Sequence, residues 1–420
     1  MSNVTVLGPG ASTVSIEINS AKNAAIAQSL LNILSNEITA GTVTPFTYGG
    51  IGPTDAPLGL NDIIITGPGE ASLAATTRDV IDIAGGPVAL VGGTAPSQLV
   101  VSDSPLTYFA NMGTGTVVAS GGGTTIFELR GGDHLFLTDG GNNHILALSG
   151  NDTIGAGTGN NAIILGSGND LVEVTGHDSI IAGSGEDTIQ VLSGNAVVQG
   201  GTGSLLFINA FGSSTVMGGE GSATLSGGSG GGVYTGGAGG DNVLTTGLAA
   251  TTLFGAGGND QLFALGGGND LLKAGSGSET LTGAGTGSDT FVGGSGGDVI
   301  TGGFGHNTFV AGTGNETLTG GFAGNTYIFG SSASGDNGDN GDNGEHHGHH
   351  HGHALGGGNI VITDFMPGTD NVVFQGYSQH DIQKALADQT NQGGGTTITL
   401  GDHTTVTFQN IAHLDKSMLG

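Results

Sequence analysis

Between residues 140 and 328 one short phrase returns about every nine residues, and it limits what this chain can fold into. Three copies are Gly166-Ser167-Gly168-Asn169-Asp170-Leu171-Val172, Gly183-Ser184-Gly185-Glu186-Asp187-Thr188-Ile189 and Gly266-Gly267-Gly268-Asn269-Asp270-Leu271-Leu272. Each copy is a glycine-rich turn, an acid or amide, and a branched apolar residue that opens a β-prone piece. Asp152 and Asp170 stand two steps apart, and a few steps elsewhere are one residue shorter or longer. A nine-residue unit is too short for a helix plus a turn. It fits one half-coil of a parallel β-solenoid, with two units to a coil. A flexible glycine linker would not hold Leu, Ile, Val and Phe at a fixed phase.

Alternate copies of such a unit lie on the same edge. One edge then carries Asp133, Asp152, Asp170 and Asp187, a gap at Leu205 and Ala223, and Asp241, Asp260, Glu279, Asp298 and Glu316. The opposite edge is mostly neutral: Asn143, Asn161, Ala196, Ser214, Gly232, Thr251, Asn307 and Asn325, with acids at Asp178, Asp270 and Asp289. Glycine turns let carbonyl oxygens crowd inward, because no Cβ blocks positive φ. Stacked turns about 4.8 Å apart bring two carboxylates together. Such oxygen-rich sites suit calcium, which takes six to eight oxygen ligands in flexible geometry. The expectation is an asymmetric roll, with several Ca²⁺ ions along the first edge in two runs and few or none on the second.

The phrase resembles the GGxGxDxUx nonapeptide of RTX (hemolysin-type) proteins. The resemblance covers about half of the chain as a long in-phase array. It implies an all-β fold, a parallel β-roll of nonapeptide half-coils whose turns bind Ca²⁺ through glycine carbonyls and aspartates.

Composition agrees. Of 420 residues 89 are glycine, there is no Cys or Trp, and the net charge is −29 with only six basic residues. Ordinary glycine usage is about 7%, and many turns around a thin core explain the excess. So acidic a chain lacks the basic footprint of a nucleic-acid binder or of a protein drawn to anionic membranes. No apolar run approaches a transmembrane span. The start, Met1-Ser2-Asn3-Val4, shows no positive region followed by a hydrophobic stretch, so no N-terminal export signal is expected.

Five segments follow. Residues 1–60 read as an N-terminal cap or assembly segment: alternating Val4, Val6, Val14, Ile16 and Ile18, then one short helix from Ser20, with Ile26, Leu30, Ile33, Leu34 and Ile38 at helical spacing and Gly41 as its stop. This segment reads as a lid over the open first coil or as a docking surface. Residues 61–130 give apolar runs at solenoid spacing without acid turns, either metal-free coils or a small β-domain. The RTX-like array fills 131–330. Residues 331–354 hold an Asp-Asn-Gly run and then His346, His347, His349, His350, His351 and His353; such a composition is expected to give a disordered loop, either a solvated spacer or a transition-metal ligand cluster. Residues 355–420 form a C-terminal β cap. Its Ile362-Thr363-Asp364-Phe365, Gly368-Thr369-Asp370 and Thr-rich strands look like the C-terminal module of RTX proteins exported by type I secretion, with a helix over Gln379 to Asp388. That resemblance implies the type I secretion machinery as a partner.

The first 130 residues hold no histidine, no H-E-x-x-H and no G-x-S-x-G. Asp79 and Asp82 read as strand-edge residues, and the histidines at 134, 144, 177 and 306 as turn variants. The expected function is therefore a secreted, calcium-dependent, non-enzymatic structural protein of a bacterial cell surface or extracellular matrix, a filament, biofilm-matrix or surface-layer subunit that folds on Ca²⁺ after type I export and self-assembles as a homo-oligomer or polymer. The alternatives are an adhesin that presents a face to glycan or a cell surface, and a small secreted enzyme with an RTX tail.

Overall fold

The computed structural model describes residues 2–9, 12–49, 61–74, 77–92, 97–110, 113–128, 131–330 and 358–419. The histidine-rich segment lies outside the described residues. The chain divides into two compact units, Met1–Gly221 and Ser222–Gly420. Each is a parallel β-solenoid.

In the first unit, from Asn61–Ile65 onward, the described strands alternate between two sheets, and each pairs in parallel with the strand one coil away. One sheet runs from Thr44–Tyr48 through Asn61–Ile65 to Ser204–Asn209, and the other from Gly69–Ser72 to Ser214–Met217. The described strands between Asn61 and Glu128 belong to these same sheets. Alternation puts one apolar row inward from each sheet. Phe136, Ile154, Val172, Ile189 and Phe207 stack in register on one side, and Ile145, Ile163, Ile180, Val198 and Val216 on the other. All ten are buried. This thin double row is the core, so each coil is stabilised mainly by its two neighbours.

The N-terminal segment forms β1 (Ser2–Leu7) and β2 (Thr13–Ile18), an antiparallel hairpin, and α1 (Ala21–Ala40). The Ser20 side chain accepts from the Asn23 N–H, and Gly41 closes the helix at φ 73°. The hairpin and α1 are not a lid over the first coil. They lie along the flank of the sheet, against Ile64, Ile81, Val101, Val118 and Leu137 of successive coils. These five are outward-facing neighbours in register. Their row continues to Gly155 and Glu173, and Glu173 pairs with Lys22 of α1. Outward apolar side chains on five coils need a cover, and Leu31, Leu34, Ala27, Ile16 and Ile18 supply it. Asp139 fixes the helix start, accepting from the Asn19 and Ser20 N–H groups and from Asn23 Nδ2 at 2.7–2.9 Å.

Asp79 and Asp82 are buried, not strand-edge residues. Asp82 accepts from the Ala84 N–H and the Ser102 hydroxyl at 2.9 and 2.6 Å. Asp79 lies near Arg78, whose guanidinium pairs with Glu37 of α1 at 2.7 Å.

The second unit repeats the plan. Leu244, Leu262, Leu281, Ile300, Leu318 and Ile362 form one inward row. Tyr234, Leu253, Leu272, Phe291, Phe309 and Tyr327 form the other. Phe291, Phe309 and Tyr327 stack at 5.1–5.3 Å between ring centres. The solenoid resumes after the undescribed stretch, Asn359–Ile362 pairing with Asn315–Thr319 and Asn371–Gln375 with Thr326–Gly330. α2 (Gln379–Ala387) starts with a Ser378–Asp381 capping box. The antiparallel strands Gly395–Thr399 and Thr405–Gln409 follow, and the last pairs with Asn359–Ile362.

Candidate metal centre

The acids of the repeat sit where a turn enters a strand, and their side chains point into the roll. Asp152, Asp170, Asp187, Asp260, Glu279, Asp298 and Glu316 are all nearly inaccessible to solvent. In the first unit each aspartate reaches back one coil. The His134 N–H donates to Asp152 Oδ1 at 2.8 Å, Asp152 N–H to Asp170 Oδ1 at 2.7 Å, and Asp170 N–H to Asp187 Oδ1 at 3.2 Å. In the second unit Asn242 N–H donates to Asp260 Oδ1 at 2.8 Å and Glu279 N–H to Asp298 Oδ1 at 3.0 Å. Several of these carboxylates also close their own turn. Asp187, Asp260 and Asp298 accept at Oδ2 from the amide four residues earlier.

The opposite edge has the same geometry. Asn161 N–H donates to Asp178 Oδ1, Thr251 N–H to Asp270 Oδ1, and Asp270 N–H to Asp289 Oδ1. The row runs on through Asn307 and Asn325 to Asp370, which takes the Asn325 N–H at 2.7 Å. Asp370 is thus the last residue of the row, carried across the insertion, and sequence spacing alone did not place it there.

Asp133 and Asp241 are displaced from the first row. Each is exposed and stands one residue early; the row positions are His134 and Asn242. Asp133 and Asp241 belong instead to an outer ladder that runs the other way, taking the N–H groups of Asn151 and Asn259 in the following coil at 2.8 and 2.9 Å. Asn151, Asn169 and Asn195 do the same. An amide suffices in this exposed ladder, whereas the inner rows collect charge.

The two glutamates break the pattern. With one more methylene, Glu279 and Glu316 fold onto their own turns, taking the Gly277 and Gly312 N–H groups at 2.9 and 2.6 Å. Their second oxygens, Glu279 Oε2 and Glu316 Oε2, are buried without a hydrogen-bond partner, as is Asp152 Oδ2. Burial pushes the carboxyls of Asp170 and Asp289 up to about 6, and those of Glu279 and Glu316 to about 8. The facing carboxylate of Asp298 adds to the effect at Glu279. Burial also raises the pKa of Asp178, Asp187 and Asp270.

The turns bring further oxygens. A Cβ on Gly168 would stand 1.6 Å from the Gly150 carbonyl oxygen, and one on Gly277 would stand 1.3 Å from that of Gly258. Glycine columns therefore let carbonyls of one coil press against the next, beside the acid rows. Orphaned buried carboxylate oxygens, stacked carbonyls and no soft donor form a set suited to a hard divalent cation. When bound, calcium supplies positive charge that keeps these buried carboxylates ionised.

Comparison with known proteins agrees with this geometry. The family described as RTX calcium-binding nonapeptide repeat (4 copies) matches residues 137–172, 174–204, 263–285 and 283–318, less than a third of the chain. No curated protein matches. The unmatched interval from 205 to 262 contains the acid gap at Leu205 and Ala223. The matched stretches contain Asp152, Asp170, Asp178, Asp187, Asp270, Glu279, Asp289, Asp298 and Glu316. RTX repeat proteins are typically secreted, and among the described residues no helix is long and apolar enough to cross a membrane. The chain therefore carries RTX calcium-binding nonapeptide repeats on a β-roll, with Ca²⁺ as their cofactor at multiple sites.

Proposed function

We propose that this is a secreted, non-enzymatic structural protein of a bacterial surface, whose roll folds on Ca²⁺ after export and then self-assembles. The observation that carries the reading is the inner carboxylate rows. Without a counter-ion, burial makes Asp170, Asp289, Glu279 and Glu316 hold protons more tightly; with one, the rows tie coil to coil. In cytosol poor in calcium the chain stays loose enough for a type I exporter, and outside it sets. The consecutive run Asp260, Glu279, Asp298 and Glu316 takes most ions in the second unit, and Asp152, Asp170 and Asp187 in the first. The Asn-rich edge takes fewer. Support for a structural role comes from a chain given over to solenoid. Exposed apolar side chains such as Leu248, Phe304 and Phe322 give copies something to associate through. Electron microscopy before and after calcium addition tests this. Ordered filaments or sheets are expected; monodisperse particles at saturating calcium reject assembly.

A second reading, an adhesin, rests on Phe304 and Phe322. These stack at 5.1 Å on adjacent coils, 59% and 80% exposed, a platform of the kind sugars pack on. Glycan-array binding that Phe322→Ala abolishes would favour it over assembly.

A further inference from the structure

Three buried side chains converge where the acid row begins. Glu128 ends the strand Thr125–Glu128, His134 opens His134–Thr138, and Asp152 precedes Thr153–Ala156. Their exposures are 0%, 6% and 1%. One donor atom from each lies within 4.8 Å of the other two. Glu128 Oε1, His134 Nδ1 and Asp152 Oδ2 have no hydrogen-bond partner. The remaining contacts hold the groups in place. The Ser149 N–H donates to Glu128 Oε2 at 3.3 Å, the His134 N–H donates to Asp152 Oδ1 at 2.8 Å, and Nδ1 stands 3.4 Å from that same oxygen. The imidazole stacks on Phe136 at 5.2 Å. A Cβ on Gly115 or on Gly132 would come within 3.3 Å of the ring, so the ring has little room to turn away.

Leaving a buried polar atom unpaired costs about 1–3 kcal/mol each, and here three unpaired atoms share one spot. A single cation would satisfy all of them. The nitrogen decides which cation. Calcium selects oxygen, whereas imidazole suits first-row divalent transition metals, and three protein donors leave positions open for water. We propose that Glu128, His134 and Asp152 form a site for one divalent transition metal at the upstream end of the first-unit acid row, chemically distinct from the calcium turns. Asp152 is shared between the two. Glu128 lies outside the repeat phrase, and His134 holds the row position that an acid holds in the following coils.

The test uses the full chain, saturated with calcium, with the six histidines between 346 and 353 changed to serine so that they do not bind the probe. Zn²⁺ is titrated calorimetrically, and the one-equivalent complex is studied by zinc K-edge X-ray absorption. One equivalent is expected to bind with a shell of one imidazole and oxygens, and without displacing calcium. His134→Asn copies the residue that Asn242 places at the same point of the second unit's row, and it should weaken this equivalent at least tenfold, as should Glu128→Gln. An oxygen-only shell, equal binding by His134→Asn, no stoichiometric zinc, or one-for-one displacement of calcium would each overturn the proposal. If a variant fails to fold, the absorption spectrum of the His134-bearing chain still decides. Calcium-induced folding is measured separately, so loss of the zinc site leaves the calcium reading intact.

Discussion

The tightest spatial demand of the roll falls on its glycine columns, and Gly168→Ala measures it. Gly168 has φ +135°, and an added Cβ would stand 1.6 Å from the Gly150 carbonyl oxygen, where real Cβ contacts stay beyond 3.0 Å. The obstacle is backbone, so the two coils must part by more than about 1 Å at a spacing of about 4.8 Å. Three hydrogen bonds cross this junction: Gly150 N–H to Ser167 O at 3.0 Å, Asn169 N–H to Asn151 Oδ1 at 2.8 Å and Asp152 N–H to Asp170 Oδ1 at 2.7 Å. Losing two or three of them costs about 2–3 kcal/mol. Forcing alanine into that φ adds about 1–3 kcal/mol. The total is about 3–6 kcal/mol. Gly393→Ala is the control, because Gly393 has φ +64° and nothing within 4 Å of its Cβ. It should cost only the left-handed penalty, about 1–2 kcal/mol. Urea unfolding at saturating calcium gives the global loss. Hydrogen exchange of peptides across 148–190 localises it. Equal destabilisation by the two variants would refute the claim that coil-to-coil carbonyl packing, and not backbone freedom alone, requires the glycine.

Other expectations concern the acids and the flank. The folded-state pKa values near 6 for Asp170 and Asp289, and near 8 for Glu279 and Glu316, lie above ordinary carboxylate values. Without metal the folded roll therefore binds more protons than the unfolded chain. This contribution is complete below about pH 4 and is lost as pH rises through about 6 to 8. In chelator, far-UV β signal should be stronger at pH 5 than at pH 8, and calcium should remove the difference; a signal flat across that range without metal contradicts the burial account. Glu279→Gln should act with opposite signs, stabilising the metal-free roll at pH 8 while weakening calcium binding, read by denaturant midpoints with and without the ion. Leu31, fully buried under the flank, should cost about 2–5 kcal/mol on truncation to alanine. The loss should appear as faster hydrogen exchange in α1 while the strands at 163–191 stay protected.

The period, the parallel coils and the apolar rows were legible because each half-coil repeats one physical solution. The helix was legible from Ser20 and Gly41, which cap it as read. The phase of Asp133 and Asp241 was not. Each stands beside the true row position, and a letter-by-letter reading prefers the acid to the neighbouring His134 or Asn242. Only the cross-coil hydrogen bonds distinguish an inner acid from an outer one. The flank contact was hidden for a similar reason. Ile64, Ile81, Val101, Val118 and Leu137 read as ordinary strand residues, and their outward direction emerges only once the register is known. Asp370 was hidden because the insertion before Asn359 breaks the count, although the pairing across it is regular.

The central claim is that calcium in the buried acid rows folds the roll. Its most direct measurement is a calcium titration of the chelator-treated full chain at pH 7.5, following far-UV circular dichroism and bound ions by equilibrium dialysis together. β signal should rise cooperatively as several ions bind, at about 10⁻⁴ to 10⁻³ M, the range of extracellular calcium modules. Asp298→Asn with Asp260→Asn should lower the ion count and raise the midpoint. A chain already fully β-structured in chelator at this pH, or one that gains β signal with its ion count unchanged by those substitutions, would contradict the claim.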